Sequence, residues 1–143
     1  MDIKDCIKFA NENPTCFLAT VEGDQPRVRA LLFWKADETG FYLQTGAKKE
    51  MCNQLGKNPK AEICFYKPDQ KAGMMLRVAG KTELVEDVKI KAIALEQRPF
   101  LKGLGIKSPE DPNLIIYRIK SGTAYFWTME NNLKPKEYIR FGK

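Results

Sequence analysis

The sequence predicts a mainly β protein: an antiparallel barrel of six or seven strands in Greek-key-like order, with helices covering its open ends. Three observations carry this. Short runs rich in β-branched and aromatic residues recur along the 143 residues, separated by turn chemistry. Only two or three segments space their apolar residues as a helix does. No βαβ alternation appears, so a parallel sheet is not expected.

Taken in order, Ile3, Cys6, Ile7 and Ala10 share one face of a short helix over residues 2–12, with Asp2 as N-cap and Asn13-Pro14 as the stop. Cys16 to Val21 is a strand, and Glu22 to Pro26 is turn chemistry leading into a second strand, Pro26 to Trp34. Alternation puts Arg27, Arg29, Leu31 and Phe33 on one face of that strand, and Val28, Ala30, Leu32 and Trp34 on the other. Both faces are mostly apolar, which predicts burial on both sides beyond the charged end. After a turn at Asp37 to Gly40, Phe41 to Thr45 completes a three-stranded antiparallel meander. Its last two strands read as a hairpin that delivers two arginines and two lysines toward one site.

Past Gly46 the spacing turns helical through Met51, Cys52 and Leu55, and Asn58-Pro59 ends it. Ala61 to Tyr66 is a strand, and Lys67 to Gly73 is a polar connection. Met74 to Val85 reads as one long strand bent or bulged at Gly80, its two methionines packing in the core or else touching a flat ligand. Asp87 caps a helix through Arg98, with Ile90, Ala94 and Leu95 on its apolar face and Pro99 as the stop. The loop from Phe100 to Pro112 contains Gly103-Leu104-Gly105, yet no strand precedes it and Ser108 stands where a third glycine is needed, which excludes a dinucleotide fingerprint. Leu114 to Ile119 and Ala124 to Thr128 are two strands around a Ser121-Gly122 turn. The tail, Pro135 to Lys143, carries Tyr138, Ile139 and Phe141 and is too apolar for a free end, so it is expected to pack on the body or on a partner subunit.

This length suits one domain over residues 1–143, and 43% hydrophobic content is enough for a core. The absence of histidine excludes Ser-His and Cys-His nucleophile pairs, His-ligated zinc and histidine acid/base chemistry. No metal site is expected, the catalytic residues stay unknown, and any catalysis would rest mostly on a bound group. Cys6, Cys16, Cys52 and Cys64 form no C-x-x-C pair, and with no signal peptide or membrane-length apolar run the chain is expected in a reducing cytoplasm. The net charge of +6 fits an anionic partner, but the lysines are spread along the whole chain.

The basic pairs are the sharpest local signal. Arg27 and Arg29 lead into a strand expected to be buried, and a desolvated guanidinium needs an anionic partner: a carboxylate of the protein or the phosphate of a ligand. Lys48 and Lys49 lie at a helix start, where the macrodipole already presents partial positive charge. Two exposed lysines can tolerate a penalty of roughly a few tenths of a kcal/mol, or a bound anion can resolve the conflict.

The order and spacing of F-L-A-T-V at 17–21, P-R-V-R-A-L-L-F-W at 26–34, F-Y-L-Q-T-G at 41–46, K-K at 48–49, Q-L-G-K-N-P at 54–59, E-I-C-F-Y at 62–66, R-V-A-G-K at 77–81 and A-Y-F-W-T-M at 124–129 resemble the pyridoxamine 5′-phosphate oxidase-like family of FMN-binding split barrels. That resemblance implies a homodimer with its FMN sites at the subunit interface. It assigns the flavin-lining strand to Arg29, Ala30, Leu31 and Leu32, with Arg27 as an addition, and the ring edge to Gln44 and Thr45. It assigns the phosphate to Lys49, with Lys48 adjacent. Trp127 is the candidate for a residue reaching across from the partner, or else it is a core aromatic. The C-terminal segment with which true pyridoxamine phosphate oxidases grip their substrate has no match here.

The function expected is therefore noncovalent FMN binding with a redox reaction on a small molecule, NADH or NADPH being a possible electron donor. Arg29 or Arg27 near the pyrimidine end would stabilise reduced flavin. The alternative is a non-catalytic flavin carrier, or a basic barrel that stacks single-stranded nucleic acid on strand aromatics. Phe17, Phe33 and Phe65 sit in apolar strand contexts that suit a core instead, which makes nucleic acid the weaker partner.

Overall fold

The computed structural model describes residues 1–142. Its elements run α1 (Ile3–Glu12), β1 (Thr15–Glu22), β2 (Gln25–Leu32), β3 (Lys35–Asp37), β4 (Gly40–Thr45), α2 (Glu50–Lys57), β5 (Lys60–Lys67), β6 (Met74–Leu84), α3 (Val88–Gln97), α4 (Phe100–Gly103), β7 (Ile115–Trp127) and β8 (Ile139–Phe141). The strands pair antiparallel in one sheet, in the order β2-β1-β5-β6-β7-β4-β3, with β8 added on β7. The sheet curls around its core as an open, mainly β barrel.

The helix signals hold because capping is local. Asp2 accepts from the N–H groups of Lys4 and Asp5 while the Asp5 carboxylate accepts from the Asp2 N–H, a reciprocal capping box at the start of α1. Cys6, Phe9 and Ala10 are the buried face of α1. Asn11 pins that helix to β3: its amide donates to the Ala36 carbonyl at 2.9 Å and its oxygen accepts from the Ala36 N–H at 2.8 Å. Asp87 caps α3 by accepting from the Lys89 N–H, and Ala94 and Leu95 are its buried residues.

Inside the barrel, Phe33 meets Phe65 edge-on at 4.8 Å and Phe41 at 6.4 Å between ring centroids. Leu18, Leu43, Ile63, Leu76, Val78 and Ile119 complete a layer that excludes water. Removing a ring from such a layer typically costs about 3–5 kcal/mol, so this aromatic cluster is a principal source of stability. It also sets the topology, because burying Phe33 draws the chain across the barrel toward β4.

Several local expectations change here. β2 and β4 do not form a hairpin. β2 stops at Leu32, Phe33 enters the core, and Lys35–Asp37 makes its own short strand on β4. β2 is the edge of the sheet and is not buried on both faces: Arg29 and Leu31 are half-buried, while Val28 is 70% exposed. Phe17 points outward beside it at 43% exposure, unlike Phe33 and Phe65, which are core as expected.

Ser121-Gly122 is no turn, because β7 runs unbroken from Ile115 to Trp127. Gly122 is there for close approach of strands, since a Cβ would overlap the Ala79 carbonyl oxygen. The irregularity expected at Gly80 is present as a register shift between Gly80 and Thr82. The loop after Pro99 contains the short helix α4. Eight strands stand where six or seven were expected, because β3 and β8 are three residues each and too short to show alternation. The tail packs on the body through β8, where the Phe141 ring lies 5.2 Å from that of Phe41. Tyr138 stays exposed, and Lys143 lies outside the described residues.

Candidate functional site

The edge strand β2 organises the site. Its register on β1 pairs Arg27 with Thr20, Arg29 with Leu18 and Leu31 with Cys16, so these three side chains share the inner face. Ala30 pairs with Phe17, and with Val28 and Leu32 it forms the outer face. Beyond β1 the strand has no partner in the sheet order, so its outward backbone groups are open to a ligand or a partner chain.

The two arginines resolve differently. Arg27 is paired by the protein itself: Nε and Nη2 both donate to Glu22 Oε1, at 3.0 and 2.8 Å. That contact holds the Glu22 carboxyl below its usual range. Both side chains are about half exposed, so the pair contributes little to stability. Arg29 has no carboxylate partner among the described residues. Its Nη1 donates to the Leu18 carbonyl at 3.2 Å and to Thr20 Oγ1 at 2.7 Å, and its Nη2 donates to Gln54 Oε1 at 2.5 Å. Burial pulls its pKa below the ordinary value, with Glu50 acting weakly in the opposite direction.

Gln54 belongs to α2, so this bond ties the arginine strand to that helix. Its Oε1 also accepts from Thr20 Oγ1 at 2.6 Å, while its buried Nε2 has no partner among the described residues. After Arg27, Gln54 also helps hold the Glu22 carboxyl low, so that carboxylate lies on the same side, and this amide is the least firmly held donor of the network.

Gln44 and Thr45 end β4, opposite Ile116 and Ile115 of β7. The chain then turns through Gly46, whose carbonyl accepts from the Lys49 N–H at 3.1 Å and from Cys52 Sγ at 3.4 Å. Lys49 is the N-cap of α2 and gives it no side-chain cap, and Glu50 is the acidic residue of its first turn. Lys48 and Lys49 are both exposed beside them. An uncapped helix start with two exposed lysines beside it can attract an anion, against the single opposing charge of Glu50.

Arg98 completes the wall, and sequence reasoning missed it. It follows α3, is 7% exposed, and donates from Nε to Gln44 Oε1 at 3.2 Å, from Nη1 to the Phe33 carbonyl at 3.2 Å and from Nη2 to the Leu32 carbonyl at 3.0 Å. It therefore joins the end of β2 to the end of β4. Trp34 secures the same corner, donating from Nε1 to Gln97 Oε1 at 3.0 Å. An arginine closing a helix is ordinary dipole chemistry, so nothing local announced its second use.

Trp127 stands apart. It pairs across the sheet with Met75, donates from Nε1 to Asn132 Oδ1 at 2.8 Å, and lines a cavity of about 480 Å³ with Phe126, Asn131 and Tyr138. Four strand spacings separate β7 from β2 along the sheet, roughly 19 Å. The chain thus gathers the β2 edge, the end of β4 and the start of α2, and leaves Trp127 four strands away across the sheet.

Comparison with known proteins follows the same lines. The sequence profile of the family described as Pyridoxamine 5′-phosphate oxidase matches residues 3–128. A Caenorhabditis elegans protein described as "Putative pyridoxamine 5'-phosphate oxidase" is 31% identical over 99 residues, which is 68% of this chain but only 42% of that protein. A nimC/nimA family protein from Clostridium acetobutylicum superposes with a TM-score of 0.79 at 28% identity, covering 96% of this chain and 92% of its own. A protein from Mesorhizobium loti described as FAD-binding superposes at 0.67 with 17% identity, covering 88% and 94%, a likeness of fold. No helix among the described residues is long and apolar enough to cross a membrane. From the profile match over nearly the whole chain and the shared split-barrel architecture, the chain belongs to the pyridoxamine 5′-phosphate oxidase family.

Proposed function

We propose that this protein is a flavoprotein that binds FMN noncovalently, as a homodimer, and takes part in a redox reaction on a small molecule with NADH or NADPH as a possible electron donor. The observation that carries this reading is the open β2 edge from Arg29 to Leu32, bounded by the uncapped N-terminus of α2 with Lys48 and Lys49 and by Gln44. The residues suit the group. A desolvated Arg29 without a carboxylate and an uncapped helix start both favour an anion, and an unpaired strand edge offers backbone donors and acceptors to a flat heterocycle.

On this reading Lys49, with Lys48 beside it, holds the phosphate, and Arg29 is aligned by Thr20 and Gln54 on the same side. Backbone at Ala30, Leu31 and Leu32, with Gln44 and Thr45, orients the ring. The bound FMN supplies the hydride or electron transfer, and the protein fixes its position and its electrostatic surroundings. The outer face supports the dimer. The rows Ala30-Phe17-Cys64-Arg77-Tyr125 and Val28-Ala19-Glu62-Ala79-Thr123 run across five strands, with Val28, Leu32, Phe17 and Tyr66 exposed on or beside them. Covering this face with a second copy would also bring a partner's Trp127 side to the β2 edge.

Titration of the purified protein with FMN, riboflavin and FAD, read by quenching of flavin fluorescence, tests the phosphate assignment. Replacing both Lys48 and Lys49 by Ala is expected to weaken FMN binding about tenfold or more while leaving riboflavin binding nearly unchanged. Equal losses for both ligands would remove the phosphate role.

A further inference from the structure

Arg98 carries more than the wall it closes. Its acceptors, Gln44 Oε1 and the carbonyls of Leu32 and Phe33, are all uncharged, and the Phe100 ring lies 4.9 Å from its guanidinium carbon. No ion pair among the described residues includes it. Burial pulls its pKa below the ordinary value. A guanidinium stays protonated even so, and a buried cation without a counter-ion is costly to keep. A plain structural clamp between two carbonyls and an amide could be built from neutral groups.

We propose that Arg98 is the positioning and potential-setting residue of the flavin cradle: it locks the end of β2 to Gln44 and holds an uncompensated positive charge at the ring end of the site. This rests on the flavin reading given above, in which Leu32 and Gln44 border the ring. Arg27 is neutralised by Glu22, and Arg29 is engaged with Thr20 and Gln54 on the α2 side. The cation that reaches Leu32 and Gln44 is Arg98. A fixed positive charge there favours the anionic reduced ring over the neutral oxidised ring and so raises the reduction potential.

The test uses wild-type protein, Arg98→Met and Arg98→Lys, each reconstituted with FMN, with circular dichroism to check the fold. Removing the charge is expected to weaken binding of reduced relative to oxidised FMN about tenfold. For a two-electron couple that ratio lowers the midpoint potential by about 30 mV. Arg98→Lys keeps the charge and loses the three-way hydrogen bonding, so it should bind FMN more weakly than wild type with its potential nearly unchanged.

Equal losses of affinity in both variants with no change in potential would reduce Arg98 to a structural clamp and overturn the proposal. If Arg98→Met does not fold, Arg98→Gln, which drops the charge but keeps an amide donor for the carbonyls, decides: a potential equal to that of wild type overturns the proposal. Wild-type protein that takes up no FMN would overturn the flavin reading and this inference with it, an outcome distinct from a variant that binds FMN at unaltered potential.

Discussion

Replacing Gln54 by Leu separates stability from binding. In the wild type, Gln54 Oε1 accepts from Arg29 Nη2 at 2.5 Å and from Thr20 Oγ1 at 2.6 Å, while its Nε2 is buried without a partner. Losing one charged and one neutral hydrogen bond costs about 2–4 kcal/mol. Removing the orphaned N–H returns about 1–3 kcal/mol, and the added apolar burial returns about 1 kcal/mol more. Arg29 keeps the Leu18 carbonyl and the Thr20 hydroxyl, so it is not stranded. The terms nearly cancel, and the variant should lie within about 1.5 kcal/mol of wild type, a shift of roughly 5 °C or less in Tm. Arg29 loses its tie to α2, however, and FMN affinity should fall about tenfold, the consequence of a misplaced contact. Urea unfolding followed by circular dichroism gives the first quantity, and a fluorescence titration gives the second. A stability loss above about 4 kcal/mol, or unchanged FMN affinity, would refute the assignment of Gln54 as an aligning residue.

Three further outcomes are expected. Gly122→Ala forces a methyl group against the Ala79 carbonyl, so the β6–β7 pairing must shift, at about 2–4 kcal/mol in denaturant unfolding. Burial, helped by Asp5 and Asp2 at Cys6, raises the thiols of Cys16 to about 12 and Cys6 to about 11 from an ordinary 9.0. The folded protein keeps these protons after the unfolded chain has released them. Stability is therefore full below about pH 9 and falls as pH rises toward the folded values, by about 1.4 kcal/mol per pH unit for each thiol. Cys16→Ala should flatten that slope between pH 9 and pH 11, as read from urea midpoints, and an unaltered slope would exclude the thiol as its source. If the proposed dimer forms through the outer face, Val28→Glu, at a position 70% exposed, should leave the fold intact, lower the sedimenting mass from two chains to one and weaken FMN binding with it.

What the sequence revealed depended on the range of the interaction. The Asp2 and Asp87 caps, the Asn58-Pro59 stop and the irregularity at Gly80 are decided within a few residues, and each appears where its local chemistry put it. Strand partners are decided by the whole core. Phe33 leaves the strand because Phe65 and Phe41 receive it, and nothing in residues 26–34 states that. Gly122 reads as a turn residue beside Ser121, yet it is needed by Ala79 on another strand. The site divides the same way. Lys48 and Lys49 stand out locally because they lie at the start of one helix, whereas Gln44 and Thr45 come only from the family resemblance. Arg98 does not stand out, because its three acceptors lie 54 to 66 residues earlier in the chain.

The central claim, that the β2 edge and the start of α2 hold a flavin, is tested most directly by the absorption spectrum of the purified, FMN-reconstituted and desalted protein. The account predicts the two visible and near-ultraviolet flavin bands, shifted from those of free FMN and returning to them when denaturation releases the cofactor. Protein that carries no flavin bands after incubation with excess FMN, and that leaves the fluorescence of added FMN unquenched, would contradict it.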